Sequence, residues 1–210
     1  KVSSGRSLPS AMRVVAAMAA SMSRRASAGD RPACASAMSP PRAAARAGSV
    51  TAMTSCSSAR RDIEAAIAAT TRIADGSDLP DETLVRIAAA LTDLQVRDTL
   101  YALAVGESAA PAESLWAELS RRLPAPWRTE ALVLLAFSAY VRGDGPLAGV
   151  SLEAALRCDG THRMAGMLDT ALQSGLRPEQ IRDLATTGYR LAEQLGVRLP
   201  ARRAFRRRAG

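Results

Sequence analysis

Between Ile63 and Leu195 the apolar residues recur three and four positions apart, and glycine or proline interrupts them at short intervals. This pattern narrows the fold more than any other feature of the chain. A period near 3.6 gives a helix one apolar face, and frequent breakers keep each helix short, so the faces must be buried against one another. Ile63, Ile67, Thr70 and Ala74 share one such face, and "DGSD" at 75–78 ends it. Pro80 suits a first helical position, with Asp81 and Glu82 in the first turn where the helix dipole favours acids; Leu84, Ile87, Leu91 and Leu94 form the stripe that follows. A short helix is predicted over 96–105, stopped by Gly106. Ser108 is placed to cap the next, which carries Leu115, Trp116, Leu119 and Leu123 and closes on Arg121 and Arg122 before "PAPW" at 124–127. Leu132, Leu135, Ala136 and Ala139 mark a helix ending at Gly143, and another covers 146–158. Met164, Met167, Leu168 and Leu172 lead to Gly175, and Pro178 opens a last helix with Ile181, Leu184, Ala185 and Leu191 that ends near Gly196. No stretch reads as a strand. The expected fold is all-α, antiparallel helical hairpins joined by short loops, arranged as a short α-solenoid or a bundle.

Composition supports this and divides the chain. Hydrophobic residues make up 48% but aromatics only 3%; alanine, the strongest helix former, supplies much of the difference. The net charge of +8 is unevenly spread. Residues 1–61 hold ten basic residues against one acid, Asp30; residues 62–197 hold 12 against 19; residues 198–210 hold six against none. The helical part is therefore acidic and both ends are basic. Residues 1–60 are rich in Ala, Ser, Arg and Met, with Leu8 their sole leucine, and are expected to be disordered apart from a short helix near 10–24. "RRAS" at 24–27 resembles a basic-directed phosphorylation site. Residues 61–197 are expected to form the helical domain and 198–210 a basic tail. No apolar run approaches the roughly 20 residues of a membrane span, and none reads as a secretory signal. Cys34, Cys56 and Cys158 are odd in number and widely spaced, which argues against a disulfide framework or zinc and for a reducing cytoplasm.

Two resemblances sharpen the expectation. Residues 131–160, "ALVLLAFSAYVRGDGPLAGVSLEAALRCDG", are similar to a tetratricopeptide repeat. Leu132, Leu135 and Ala136 match its first helix, Gly143 with Asp144 and Gly145 its turn, and Ala148, Leu152 and Ala155 its second helix. Small residues at Ala136, Ala148 and Ala155 let two helices approach closely while larger ones fill the gaps. The motif's tryptophan, first-helix aromatic and closing proline are replaced by Leu132, Ala139 and Gly160. More broadly, "VRDTLYAL" (96–103), "LWAELSRRLPAPWR" (115–128), "ALVLLAFSAYVRGDGPLA" (131–148) and "ALRCDG" (155–160) resemble the C-terminal half of an alanine-rich actinobacterial family, domain of unknown function 4192. That resemblance implies a helical C-terminal half of tetratricopeptide-like character, no assigned reaction and no catalytic residues to transfer. It also implies an N-terminal α/β portion, to which nothing in residues 1–60 is similar. The chain is accordingly expected to be a truncated or frame-disturbed member.

Chemistry-bearing patterns are missing. His162 is the lone histidine, which excludes a two-histidine metal site and weakens every Ser-His or Cys-His arrangement; it is expected in a solvent-facing loop. "GDGPLAG" at 143–149 has the wrong spacing for a phosphate-binding loop. Cys158, beside Asp159, reads as a packing residue, Trp116 and Trp127 as core and corner residues, and Asp81 and Glu82 as first-turn acids. No catalytic, cofactor or metal residue is assigned, and the chain is expected not to be an enzyme. Stacked helix pairs offer concave surfaces, so the expected role is a helical scaffold binding a protein or peptide. Two alternatives stand beside it. One is weak, sequence-independent nucleic-acid binding through Arg202, Arg203, Arg206, Arg207 and Arg208. The other is a remnant of a larger protein whose active site lay in a missing N-terminal domain.

Overall fold

The computed structural model describes residues 46–201, with side chains from Cys56 onward. Of the segment 1–60 expected to be disordered, residues 1–45, with the helix near 10–24 and the "RRAS" stretch, lie outside the described residues, as do Arg202, Arg203, Arg206, Arg207 and Arg208.

The described residues form eight α-helices and no strand: α1 Arg46–Ala74, α2 Asp81–Ala90, α3 Leu94–Leu100, α4 Ala109–Arg122, α5 Thr129–Arg142, α6 Gly145–Cys158, α7 Arg163–Gln173 and α8 Pro178–Gln194. A 3₁₀ segment, Tyr101–Val105, continues α3, so the helix expected over 96–105 is tightened in its second half.

The architecture follows from α5. Twelve of its 14 residues are buried, from Thr129 and Ala131 through Val141. A helix apolar on all sides must be enclosed. It packs against α4, α6, α7, α8 and the 3₁₀ segment. The chain then closes on itself: α8 returns to pack on α3 and the 3₁₀ segment, and α1 lies against α2, α3 and α4. In a solenoid each unit would touch only its neighbours. Of the two arrangements open to the sequence, this is the bundle. Tyr101 meets Phe137 edge-on, with centroids 4.8 Å apart, tying the 3₁₀ segment to α5.

α1 begins at Arg46, well before the expected start of order near residue 60. Cys56, Ala59, Ile63, Ala66 and Thr70, spaced three and four apart, are all buried. The stripe continues upstream of Ile63 in small side chains, which pack without announcing themselves as a run of large apolar residues. At α8, Gly188 marks the closest crossing. A Cβ there would stand 2.8 Å from the Thr99 carbonyl oxygen and 3.0 Å from the Ala102 nitrogen.

Candidate functional site

The turn between α5 and α6 is built from side-chain and backbone caps. Gly143 takes a left-handed conformation, φ 91°, which a Cβ would strain. The Asp144 N–H then reaches back to the Ala139 carbonyl at 2.9 Å. Asp144 Oδ1 accepts the Leu147 N–H at 3.0 Å and caps α6. That backbone N–H, with the Arg142 guanidinium, holds the Asp144 carboxyl below its ordinary range. Beyond the turn, Leu132, Leu135, Ala136, Ala148, Leu152 and Ala155 are all buried. The two helices share the most extensive contact in the fold. Leu132, Leu135 and Ala136 thus lie on α5 and Ala148, Leu152 and Ala155 on α6, either side of the turn at Gly143 and Asp144.

Two concavities open on this framework. The first is a broad groove of ≈ 730 Å³ between the outer faces of α6 and α7, lined by Pro146, Gly149, Val150, Leu156, Asp169 and Leu172 among others. Val150 is 64% exposed there. Arg157 pairs with Glu153 along one edge. The second is a narrower cavity of ≈ 370 Å³ between the 3₁₀ segment, α4, α5 and α8. Ala104, Val105, Ala109 and Val141 give it an apolar lining, and Ser138 adds a hydroxyl. Arg142 bridges to both Glu113 oxygens beside it, at 3.1 and 2.9 Å.

A buried charge cluster, unforeseen in the sequence, joins α3, α5 and the start of α7. Arg97, only 5% exposed, donates through Nε and Nη2 to Asp98 Oδ1 at 3.1 and 3.0 Å. Its Nη1 donates to Glu130 Oε1 at 2.9 Å. Burial by itself would lower the Arg97 guanidinium, but Tyr101, Glu130 and Asp98 outweigh it and hold it above its ordinary value. Burial likewise pushes Glu130 up, and the His162 hydrogen bond and Arg97 charge prevail, leaving it lowered. Glu130 Oε2 is buried without a hydrogen-bond partner among the described residues.

His162 corrects the expectation of a solvent-facing loop residue. Its side chain is 10% exposed and caps α7, with Nδ1 accepting the Ala165 N–H at 3.1 Å. Nε2 lies 3.1 Å from Glu130 Oε1, so the network assigns the proton to Nε2. A loop position hid this because the cap depends on a ring nitrogen, a role commonly filled by Ser, Thr, Asp or Asn. Ser108 fails in the opposite sense: no side-chain hydrogen bond caps α4, and its hydroxyl is buried without a partner among the described residues. Trp116 is buried in the core, whereas Trp127 is 56% exposed at the corner. Cys158 is half-buried and packs against the core. Asp81 and Glu82 occupy the first turn of α2, where Asp81 pairs with Arg122 of α4. Among the described residues no cluster of His, Cys, Asp or Glu is arranged to hold a metal. No helix among them is long and apolar enough to cross a membrane.

Fold and geometry define a class: an all-α protein whose described residues wrap hairpins around one enclosed helix and present an open groove. The model of a family described as a domain of unknown function (DUF4192) matches residues 3–179, and the chain belongs to that family. The match reaches far upstream of the 62–195 span that carried the resemblance and takes in residues 3–60, where no similarity to the family was expected; it stops at the start of α8. No curated protein and no solved structure matches the chain.

Proposed function

We propose that this protein is a non-catalytic helical scaffold that holds a peptide segment of a protein partner in the groove between α6 and α7. The groove itself carries the reading: it is open, ≈ 730 Å³, and has Val150 and Leu172 on its lining where a soluble surface would ordinarily be polar. α6 has its other face, Ala148, Ser151, Leu152 and Ala155, fully committed to the core, so the groove side is spare. Gly149 adds no side chain to the lining, and a Cβ there would stand 3.6 Å from Leu172 Cδ2. The chemistry selects the occupant. Apolar lining flanked by Asp169, with Arg157 already paired to Glu153, suits a short amphipathic helix carrying one basic residue.

The non-catalytic part of this reading rests on His162, the chain's one histidine. Both ring nitrogens of His162 are engaged in structural hydrogen bonds, one to Ala165 and one to Glu130, which leaves neither to shuttle a substrate proton.

Val150→Asp tests the proposal, because the side chain is exposed and its change leaves the core intact. A photo-crosslinker at Gln173, on the lining but away from the core, should capture a partner in cells expressing the wild-type chain. Val150→Asp should reduce that capture at least tenfold with an unchanged melting temperature. Equal capture by both chains would reject the groove as the binding site.

A further inference from the structure

The second cavity has a chemistry of its own, separate from the groove between α6 and α7. Its walls come from the 3₁₀ segment, α4, α5 and α8. Polar bonds hold these elements in place as well as packing. Arg182 Nη2, from α8, donates to the Val141 carbonyl of α5 at 2.8 Å. Beside Gly106, the Glu107 N–H donates to the Ala201 carbonyl at 3.1 Å and Tyr189 Oη to the Pro200 carbonyl at 3.2 Å. The cavity is therefore built into the fold. Its ≈ 370 Å³ falls at the small end of the range for small-molecule sites, about 300–1,000 Å³.

The charge of the lining is unbalanced. Two guanidiniums, Arg142 and Arg182, stand there against one carboxylate, Glu113. Arg142 holds both Glu113 oxygens, and its other partner, Asp144, lies outside the lining. The bond from Arg182 to Val141 goes to a neutral carbonyl, so it fixes the guanidinium at the wall without cancelling its charge. This positive spot lies in a helical body, residues 62–197, that is acidic overall. α4 adds to it: Ala109 and Ala110 line the cavity, no side chain caps the helix, and its first turn holds no acid, so the positive end of its dipole faces the space. Ser138, only 4% exposed, lines the same space, and no side-chain hydrogen bond engages its hydroxyl among the described residues. Ser138 and Val141 are three apart on α5, and Arg182 is bonded to Val141, so hydroxyl and guanidinium share one wall. The remaining wall is apolar: Ala104, Val105, Ala109 and Val141.

We propose that the cavity between the 3₁₀ segment, α4, α5 and α8 binds a small organic monocarboxylate, with its carboxylate at Arg182 and Ser138 and its apolar body against Val105 and Val141. A guanidinium fork matches the planar geometry of a carboxylate, and one extra positive charge in the lining suits one negative charge on the ligand. The apolar wall selects against anions that have no hydrocarbon part.

The test is an NMR titration of the full chain, carbon-13 labelled at its valine methyls, with benzoate at pH 7 and constant ionic strength. Benzoate should shift the methyls of Val105 and Val141 saturably, while Val150, in the groove between α6 and α7, stays in place. Benzamide keeps the shape and loses the charge; acetate keeps the charge and loses the body. Each should bind at least tenfold more weakly. Arg182→Met should weaken benzoate at least tenfold and leave benzamide unchanged. Ala110→Trp, which adds bulk at an exposed lining position, should weaken both at an unchanged melting temperature. If Arg182→Met does not fold, Ala110→Trp and the benzamide comparison decide the matter. No saturable shift at Val105 and Val141, equal binding of benzoate and benzamide, or shifts indifferent to Ala110→Trp would each overturn the proposal.

Discussion

At the residue scale, the side chains that matter most are those with no room or no water. Gly188 touches backbone: any Cβ meets the Thr99 carbonyl at 2.8 Å, inside the distance real contacts allow. Gly188→Ala should therefore destabilise the fold although alanine is the better helix former, by roughly 1–3 kcal/mol as other overpacked sites do. Urea titration reads this as a lower midpoint at unchanged slope; a midpoint at or above wild type would contradict the crossing. Arg97 presents the complementary case. Arg97→Met would deprive the buried Asp98 and the half-buried Glu130 of this cation. Removal of one partner from a buried ion pair costs about 3–5 kcal/mol, well beyond the median surface salt bridge. Arg60→Met, which breaks an exposed i,i+4 pair with Glu64, should change the midpoint little. The sequence displayed neither effect. Arg97 and Asp98 stand side by side in a largely apolar stretch, which hints at burial, but Arg97's second partner, Glu130, is 33 positions away and nothing local announces it.

At the element scale, the α5–α6 hairpin was the most legible part of the chain, and the reason is that its determinants are local. Gly143 supplies the left-handed residue, Asp144 the cap, and Ala136, Ala148 and Ala155 the close approach, all within a stretch whose spacing is visible. Boundaries set by small or unusual residues were less legible. α1 extends upstream on Cys56 and Ala59, and α7 is capped by a histidine ring. The hairpin makes its own predictions. Asp144→Ala removes the acceptor of the Leu147 N–H and should cost about 1 kcal/mol, as N-cap losses do. Ala155→Leu forces three extra carbons into a site with no exposure and should cost about 1–3 kcal/mol or shift α6 outward. The ordering, with Ala155→Leu the more damaging, can be checked by thermal melts of the two variants; the reverse order would mean that the helices do not clasp at the small residues.

At the scale of the whole molecule, helical periodicity could specify that each helix buries a face but not which helices meet. Bundle and solenoid satisfy the same stripes. What decides between them is the all-round burial of α5 and the return of α8 to α3, both products of long-range packing. The Arg97–Glu130–His162 cluster spans that packing, since its members come from α3, α5 and the entry to α7. The ionisation of Glu130 is therefore coupled to the assembly of the bundle. Glu130 is held below its ordinary value in the folded chain, so the folded state favours its ionised form. That contribution is complete above the carboxyl's unfolded pKa of about 4.3 and is lost as pH falls through the lower folded value. Asp144, Asp159 and Glu118 are shifted the same way by their own hydrogen bonds, so acidification acts on all four in one direction. The urea midpoint should hold nearly constant from pH 7 to about 5 and fall steadily below that. Glu130→Gln separates the cluster from the rest. It should start lower at pH 7, because Arg97 loses an anion, and fall less on acidification, because the most deeply placed of the four carboxyls no longer titrates. A variant whose midpoint drops as steeply as wild type between pH 5 and pH 3 would show that acid acts through the surface carboxylates alone and that the cluster does not couple the three helices.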